Sequence, residues 1–248
     1  MPPLWLCLGC LATAVVYASV GLGGGSTYAA LHAQADLDTE SLRLAVLAMN
    51  VVVAGVGHFV FGRAGHLRTR LLAPFLVTSL PAAFLGGWLR VPGPTFTLIL
   101  AATLGVVGWR MLRTPAATSR AGTVTARLAW TVGPLLGGAA GFLAGLVGIG
   151  GGVLLAPLLV ALRWANSKEA SAVSAVFVWA NSATGLGAHL LRGNRPEPWL
   201  WPLLAVVLIG GIVGARLGAV RLRVAIVQRI FGVVVLATAV RLVWRLAG

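Results

Sequence analysis

Acidic side chains are scarce in this chain: five Asp and Glu stand against 19 Lys and Arg among 248 residues. All five, Asp36, Asp38, Glu40, Glu169 and Glu197, fall in or at the edges of expected connections, so none is left for the interior of an apolar helix. That argues against a carboxylate relay for protons or sodium ions. Cysteine is nearly missing as well. Cys7 and Cys10 form a CxxC, but it lies inside an apolar run, without the exposed, electropositive setting that lowers a thiol pKa, and reads as small apolar filler. The opening Met1-Pro2-Pro3 has no basic residues and the run after it no small-residue cleavage pattern, so it reads as mature structure and not as a signal peptide.

What is abundant is apolar. With 58% hydrophobic and 10% charged residues, the composition is that of a polytopic membrane protein. A net charge of +14 would suggest nucleic acid in a soluble protein, but here the basic residues fall between apolar runs, where they set topology and meet lipid headgroups. The lipid bilayer is therefore an expected partner and nucleic acid is not.

The apolar runs are Pro3–Leu31, Leu44–Phe61, Leu71–Leu89, Thr95–Leu112, Leu128–Leu162, Ala170–Leu191, Pro198–Ala215 and Val224–Val243. Most approach the ~20 residues that cross a bilayer as a helix. Only the stretch before Leu128 reads as a domain boundary, which divides the chain into an N-terminal transmembrane repeat, 1-113, a linker, 114-127, and a C-terminal transmembrane repeat, 128-248. The expected fold is an all-α polytopic membrane protein of two homologous four-segment repeats, inverted relative to each other, whose first and fifth segments are broken by glycine.

The break is read from a motif that occurs twice. Gly21-Leu22-Gly23-Gly24-Gly25 and Gly148-Ile149-Gly150-Gly151-Gly152 stand 127 residues apart in equally apolar surroundings. Each glycine costs a helix about 1 kcal/mol relative to Ala, so three in a row should interrupt it. In a bilayer an interruption is tolerated where the freed backbone faces protein or a water-filled cavity, and paired interruptions in two repeats mark a transporter's binding site. The competing reading is close helix packing through small residues. Other echoes keep the same order: Asn50, Gly55, Gly57 and His58 against Asn181, Gly185, Gly187 and His189, then Gly86-Gly87 against Gly210-Gly211.

Basic residues test the topology. If the fifth run crosses once, the loop with Arg216, Arg221, Arg223 and Arg229 falls outside and the totals are 11 inside against 8 outside. If it enters and returns, they become 13 against 6, the more usual asymmetry. The first and fifth runs, 29 and 35 residues, are too long for one untilted crossing and too short for two, which suits re-entrant half-helices.

A half-helix starting after Gly25 would aim unpaired N–H groups and about half a positive charge at the membrane centre, and its twin after Gly152 would add a second set. Such ends bind anions. The expected binding set is Gly23, Gly24, Gly25, Ser26, Thr27, Asn50, Gly150, Gly151, Gly152 and Asn181. Ser26 and Thr27 either donate hydroxyl bonds or cap the half-helix. Asn50 and Asn181, amides within apolar helices, must face the bundle interior, as ligands or as interhelical hydrogen bonds. His58 and His189, the candidates for proton coupling, lie near helix ends. Trp179 could wall the site, whereas Trp5, Trp88, Trp199 and Trp201 read as interfacial anchors. Neither glycine run has the Lys-Ser/Thr of a P-loop or the strand context of a dinucleotide fold, and no cofactor, metal or catalytic set is expected.

Taken together, the Gly148 motif, the later Ala170-Ser171-Ala172-Val173-Ser174-Ala175-Val176-Phe177 and Asn181-Ser182-Ala183-Thr184-Gly185-Leu186, and the twin from Gly21 resemble the TauE/SafE sulfite-exporter family of membrane transporters. The resemblance implies movement of sulfite, an organosulfonate or another small sulfur-containing anion across the bacterial inner membrane by a secondary transporter that is not an enzyme. The N-terminal copy departs from its twin, with Ser26-Thr27-Tyr28 where the other has Val153-Leu154-Leu155, so the halves are expected to contribute unequally. A membrane-embedded serine hydrolase using Ser26 and a non-transporting scaffold remain as alternatives, and a homo-oligomer stays open.

Overall fold

The computed structural model describes residues 2–19, 21–35, 38–113, 124–151, 155–156, 158–159, 162–217 and 224–247. Gly152, most of the expected linker and the loop around Arg221 lie outside the described residues. Among those described, the chain is helical and without strands: α1 Leu4–Ser19, α2 Gly25–Gln34, α3 Thr39–Arg63, α4 Thr69–Trp88, α5 Gly93–Arg113, α6 Ala126–Val147, α7 Ser167–Leu191, α8 Leu200–Leu217 and α9 Val224–Ala247. Four of them, α3, α4, α6 and α8, are long and apolar enough to cross a membrane. The chain is an all-α, multi-pass membrane protein.

The first apolar run breaks where its glycines begin. Gly21 is left-handed (φ 73°), with its N–H donating to Ala18 O and the Leu22 N–H to Tyr17 O, the paired closure of a helix ended by glycine. Gly24, at φ 88°, then starts α2. At about 1.5 Å per residue the 16 residues of α1 span roughly 24 Å, short of a ~30 Å hydrocarbon core. Beyond the break α2 returns along α1: a Cβ on Gly9 would lie 3.0 Å from Leu31 Cδ1.

The fifth run breaks at the matching place but less evenly. Gly148, φ 83°, closes α6, and Gly150 and Gly151 are also left-handed. With 22 residues, α6 is long enough to cross alone, unlike α1. The chain nevertheless comes back. Trp164 packs edge-on to Phe75 at 6.4 Å, and lines with Arg68, Arg70, Ala126 and Trp130 a cavity of about 830 Å³ at the end where α6 begins.

Packing couples the halves crosswise. α6 lies against α4, α1 against α8, α3 against α7, and α5 against α9. The α4–α6 seam depends on Gly133, Gly137, Gly141 and Gly145, one glycine every four residues. A Cβ at the last three would run into the carbonyls of Phe75, Ser79 and Ala83, so backbone rests on backbone. Gly214 of α8 meets the Val15 carbonyl of α1 in the same way. For these glycines the close-packing reading is right.

Two long helices start on side-chain caps. Asp38 Oδ1 accepts the Glu40 and Ser41 N–H groups at 3.0 Å to open α3. Burial opposes its charge, but the Ser41 hydroxyl together with those N–H bonds outweighs burial and holds the carboxyl below its usual range. Asn166 and Glu169 form a reciprocal capping box at the head of α7.

Candidate transport site at the two helix breaks

Asn50, on α3, sits between the two breaks. Its Nδ2 donates to Gly148 O at 2.9 Å, while a Cβ on Gly23 would come 2.6 Å from its Oδ1. The breaks also touch each other, since a Cβ on Gly25 would lie 2.6 Å from Ile149 O. Val178 of α7 closes the opposite side, 2.8 Å from the Cβ positions of both Gly23 and Gly150. Gly24 faces Thr13 and Tyr28, and Gly151 faces Ala140 O and Phe177. The glycines are therefore required on two grounds: Gly24, Gly150 and Gly151 have positive φ, and at Gly23, Gly24, Gly25 and Gly150 a Cβ would come closer than 3.0 Å to a neighbour.

Buried polar atoms without partners lie on α3 and α7, the two helices that flank this crossing. Asn50 Oδ1, Ser174 Oγ, Asn181 Oδ1 and Ser182 Oγ are shielded from solvent and have no hydrogen-bond partner among the described residues. Ser182 Oγ stands 3.1 Å from the Cβ position of Gly150. Ser174, Val178 and Ser182 recur every fourth residue, one stripe of α7. Leaving such atoms unpaired costs about 1–3 kcal/mol each, which is the energy a polar ligand recovers by meeting them.

The other expected residues divide. Ser26 and Thr27 are buried, but turn toward Tyr17 of α1, whose Oη lies 2.9 Å from Thr27 Oγ1 and 3.5 Å from Ser26 Oγ; neither caps α2. No histidine appears among the described partners of Ser26. Asn181 is fully buried, and its Nδ2 donates to Phe177 O within its own helix at 2.8 Å, not between helices. His58, half-buried, stacks on Trp179 at 5.9 Å.

His189 is fully buried and stands 3.1 Å from Glu40 Oε2. It belongs to a charged cluster that sequence reading overlooked. Arg43, read as the end of a connection, is wholly buried in α3: its guanidinium donates to Gly86 O at 2.8 Å and Leu89 O at 3.2 Å, and pairs with Glu40 at 3.4 Å. Arg192 reaches Gly87 O and Glu40, and Asn194 Nδ2 donates to Glu40 at 2.9 Å. The signal was Asp38, a helix cap that places Glu40 and Arg43 within one turn of the same helix. His32 is a second buried histidine that was missed, its Nδ1 2.8 Å from Tyr28 O.

Known proteins resemble this chain over most of its length. The model of a family described as sulfite exporter TauE/SafE matches residues 5–242. A probable membrane transporter protein, y4hK, of Sinorhizobium fredii is 30% identical over 233 residues, 93% of this chain and 94% of its own. A probable membrane transporter protein of Xylella fastidiosa is 31% identical over 193 residues, 73% of this chain and 71% of its own. Probable membrane transporter protein YunE of Bacillus subtilis is 37% identical over 89 residues, 36% of this chain and 31% of its own. No solved structure matches the chain significantly.

Proposed function

Because the chain belongs to the sulfite exporter TauE/SafE family of membrane transporters, we propose that it is a secondary transporter exporting sulfite or a small organosulfonate across the bacterial inner membrane. It works by alternating access around the two helix breaks, without enzymatic turnover. The observation that carries the reading is Asn50, one amide touching Gly23, Gly25, Gly148 and Gly150 and thereby joining both breaks at one point. Beside it one described helix starts, α2 at Gly25; the twin start expected after Gly152 lies outside the described residues. A pair of such starts would offset about one negative charge without a cationic side chain.

Two inverted repeats, 1-113 and 128-248, supply the moving parts. The crosswise packing supports this, since α1 lies on α8 and α6 on α4, the first apolar run of each half on the third run of the other. Ion pairs support the same-side return of the fifth run. Arg68, before α4, pairs with Glu169, at the head of α7, at 2.8 Å, and Glu40 meets Arg192 at 3.3 Å. With ordinary crossings of the fifth run, each pair would be split by the membrane.

An anion held by N–H groups, amides and hydroxyls carries its charge across, so transport is electrogenic. Each exported negative charge gains about 2.3 kcal/mol per 100 mV with the inside negative. In proteoliposomes loaded with sulfite, a potassium-valinomycin potential, negative inside, should accelerate efflux. The His189–Glu40 contact favours one rival, proton coupling through His189. Efflux that follows a pH gradient, ignores the potential, and loses that dependence in His58→Gln with His189→Gln would establish the rival and remove the electrogenic reading.

A further inference from the structure

We infer that the donors gathered on Glu40 form an oxyanion-binding site at one end of the bundle, which the chain's own carboxylate fills and a free small oxyanion such as sulfate or sulfite enters by displacing it. The site is separate from the crossing at Asn50, and only its place on a transport path rests on the transport reading. Its geometry is that of a receptor for one pair of oxygens. Glu40 Oε1 accepts from Arg43 Nη1 at 3.4 Å and from Arg192 Nη2 at 3.3 Å. Oε2 accepts from Asn194 Nδ2 at 2.9 Å and stands 3.1 Å from His189 Nδ1. Two guanidiniums, an amide and an imidazole around two oxygens suit a free oxyanion as well as a tethered one.

The donors are fixed by other partners, whereas the occupant is not. Arg43 is anchored on Gly86 O at 2.8 Å and Leu89 O at 3.2 Å, and Arg192 Nη1 on Gly87 O at 3.1 Å, so both guanidiniums keep their places when the carboxylate leaves. Burial divides in the same way. The Arg43 and His189 side chains are wholly buried and that of Arg192 is 6% exposed, while the Glu40 side chain, on the second residue of α3, is 35% exposed. A buried donor set around an acceptor that water reaches admits exchange of the acceptor without unpacking the donors.

Charge favours the exchange. Among the described residues one carboxylate serves two guanidiniums, for Asp38 caps α3 and Glu169 pairs with Arg68 at the other end of α7. A doubly charged oxyanion answers both cations, as Glu40 alone does not. Glu40 acts meanwhile as a tethered competitor, present at an effective concentration on the order of millimolar, which keeps affinity for free anions low in the wild type. The position also relates to the helix breaks. Arg43 Nη2 lies 3.5 Å from Gly145 O, and Arg43 O lies 3.3 Å from the Cβ position of Gly148. Seven residues of α3 separate Arg43 from Asn50, about 10 Å, so an anion passing between the crossing and this end of the bundle meets the site.

The test is thermal unfolding of the detergent-purified protein in sodium sulfate, against sodium chloride at equal ionic strength. With the competitor removed in Glu40→Ala, the half-saturating sulfate concentration should fall about ten-fold or more below that of the wild type, and adding Arg192→Gln should abolish the gain. Adding Gly24→Ala, which alters the crossing, should leave the gain in place. If Glu40→Ala does not fold, Glu40→Gln, which removes the competing charge, decides by the same comparison. Equal half-saturation in variant and wild type, or chloride as effective as sulfate, would overturn the site and make Glu40 a structural ion-pair partner only. A gain that survives Arg192→Gln or is lost with Gly24→Ala would place the anion elsewhere and overturn it as well. Wild-type sulfite efflux from proteoliposomes tests the transport reading by itself, so the two failures are told apart.

Discussion

Glu40 and His189 stand 3.1 Å apart although they belong to opposite halves of the chain. The carboxylate also meets Arg43, Arg192 and Asn194, and the two guanidiniums pass on to the last carbonyls of α4. One side chain at the head of α3 therefore ties three helices at a single end of the bundle.

Removing that charge should loosen the end. In Glu40→Gln, two buried or nearly buried guanidiniums lose their counter-charge, and about 1–3 kcal/mol of stability should go, after allowance for the carboxylate being about a third exposed. Arg43→Lys should not be tolerated better than Arg43→Met, because one ammonium cannot span the Gly86, Leu89 and Glu40 oxygens. Unfolding midpoints in detergent measure both. An unchanged midpoint in Glu40→Gln would mean that the carbonyls alone hold Arg43.

Bulk at the breaks should harm binding beyond its effect on folding. Gly24→Ala places a Cβ on a residue at φ 88°, 2.9 Å from Thr13. Gly193→Ala places one at φ 86° with nothing within 4 Å. Each costs about 1–2 kcal/mol of backbone strain, but only the first should lower anion affinity, by ten-fold or more. Equal losses of anion-induced stabilisation would make the break a folding element and not a site.

The glycine seam can be tested against an open glycine. Gly145→Ala drives a Cβ into the Ala83 carbonyl, and should cost about 1–3 kcal/mol. Gly187→Ala, in α7 with open space around it, should gain about 0.5–1 kcal/mol from helix propensity. Thermal unfolding of the pair decides. A tolerated Gly145→Ala would show that the helices can part without loss.

Sidedness follows from the Arg68–Glu169 pair. With Cys7 and Cys10 replaced by Ala, Arg68→Cys and Glu169→Cys should both resist a membrane-impermeant maleimide in intact cells and both react after lysis. Labelling of one position alone would reject the same-side return and leave ordinary crossings.

Much of the architecture was legible because bilayer-length apolar runs and glycine breaks are local signals. The expected runs Leu71–Leu89 and Thr95–Leu112 appear as Thr69–Trp88 and Gly93–Arg113. The chief boundary error lies at α3, which begins at Thr39 and not Leu44. Hydropathy cut the helix short because Glu40 and Arg43 look like loop residues until their partners on α4 and α7 are in place. Asn50 was legible as an amide forced inward, whereas its bond to Gly148 was not, for nothing local in either segment encodes a meeting between halves. The contact of Ser26 and Thr27 with Tyr17 was not legible for a similar reason: Tyr17, which faces both, lies across the break that sets the angle between α1 and α2.

The seam between α4 and α6 has a mechanical meaning. Where side chains interdigitate, a sliding helix can exchange one rotamer for another and keep its contacts; where main chain rests on main chain at Gly137, Gly141 and Gly145, there is no rotamer to exchange. Such a joint has no slip plane. α4 and α6 should travel as one welded plate, and the play needed to open a path must be found at softer seams lined by long side chains.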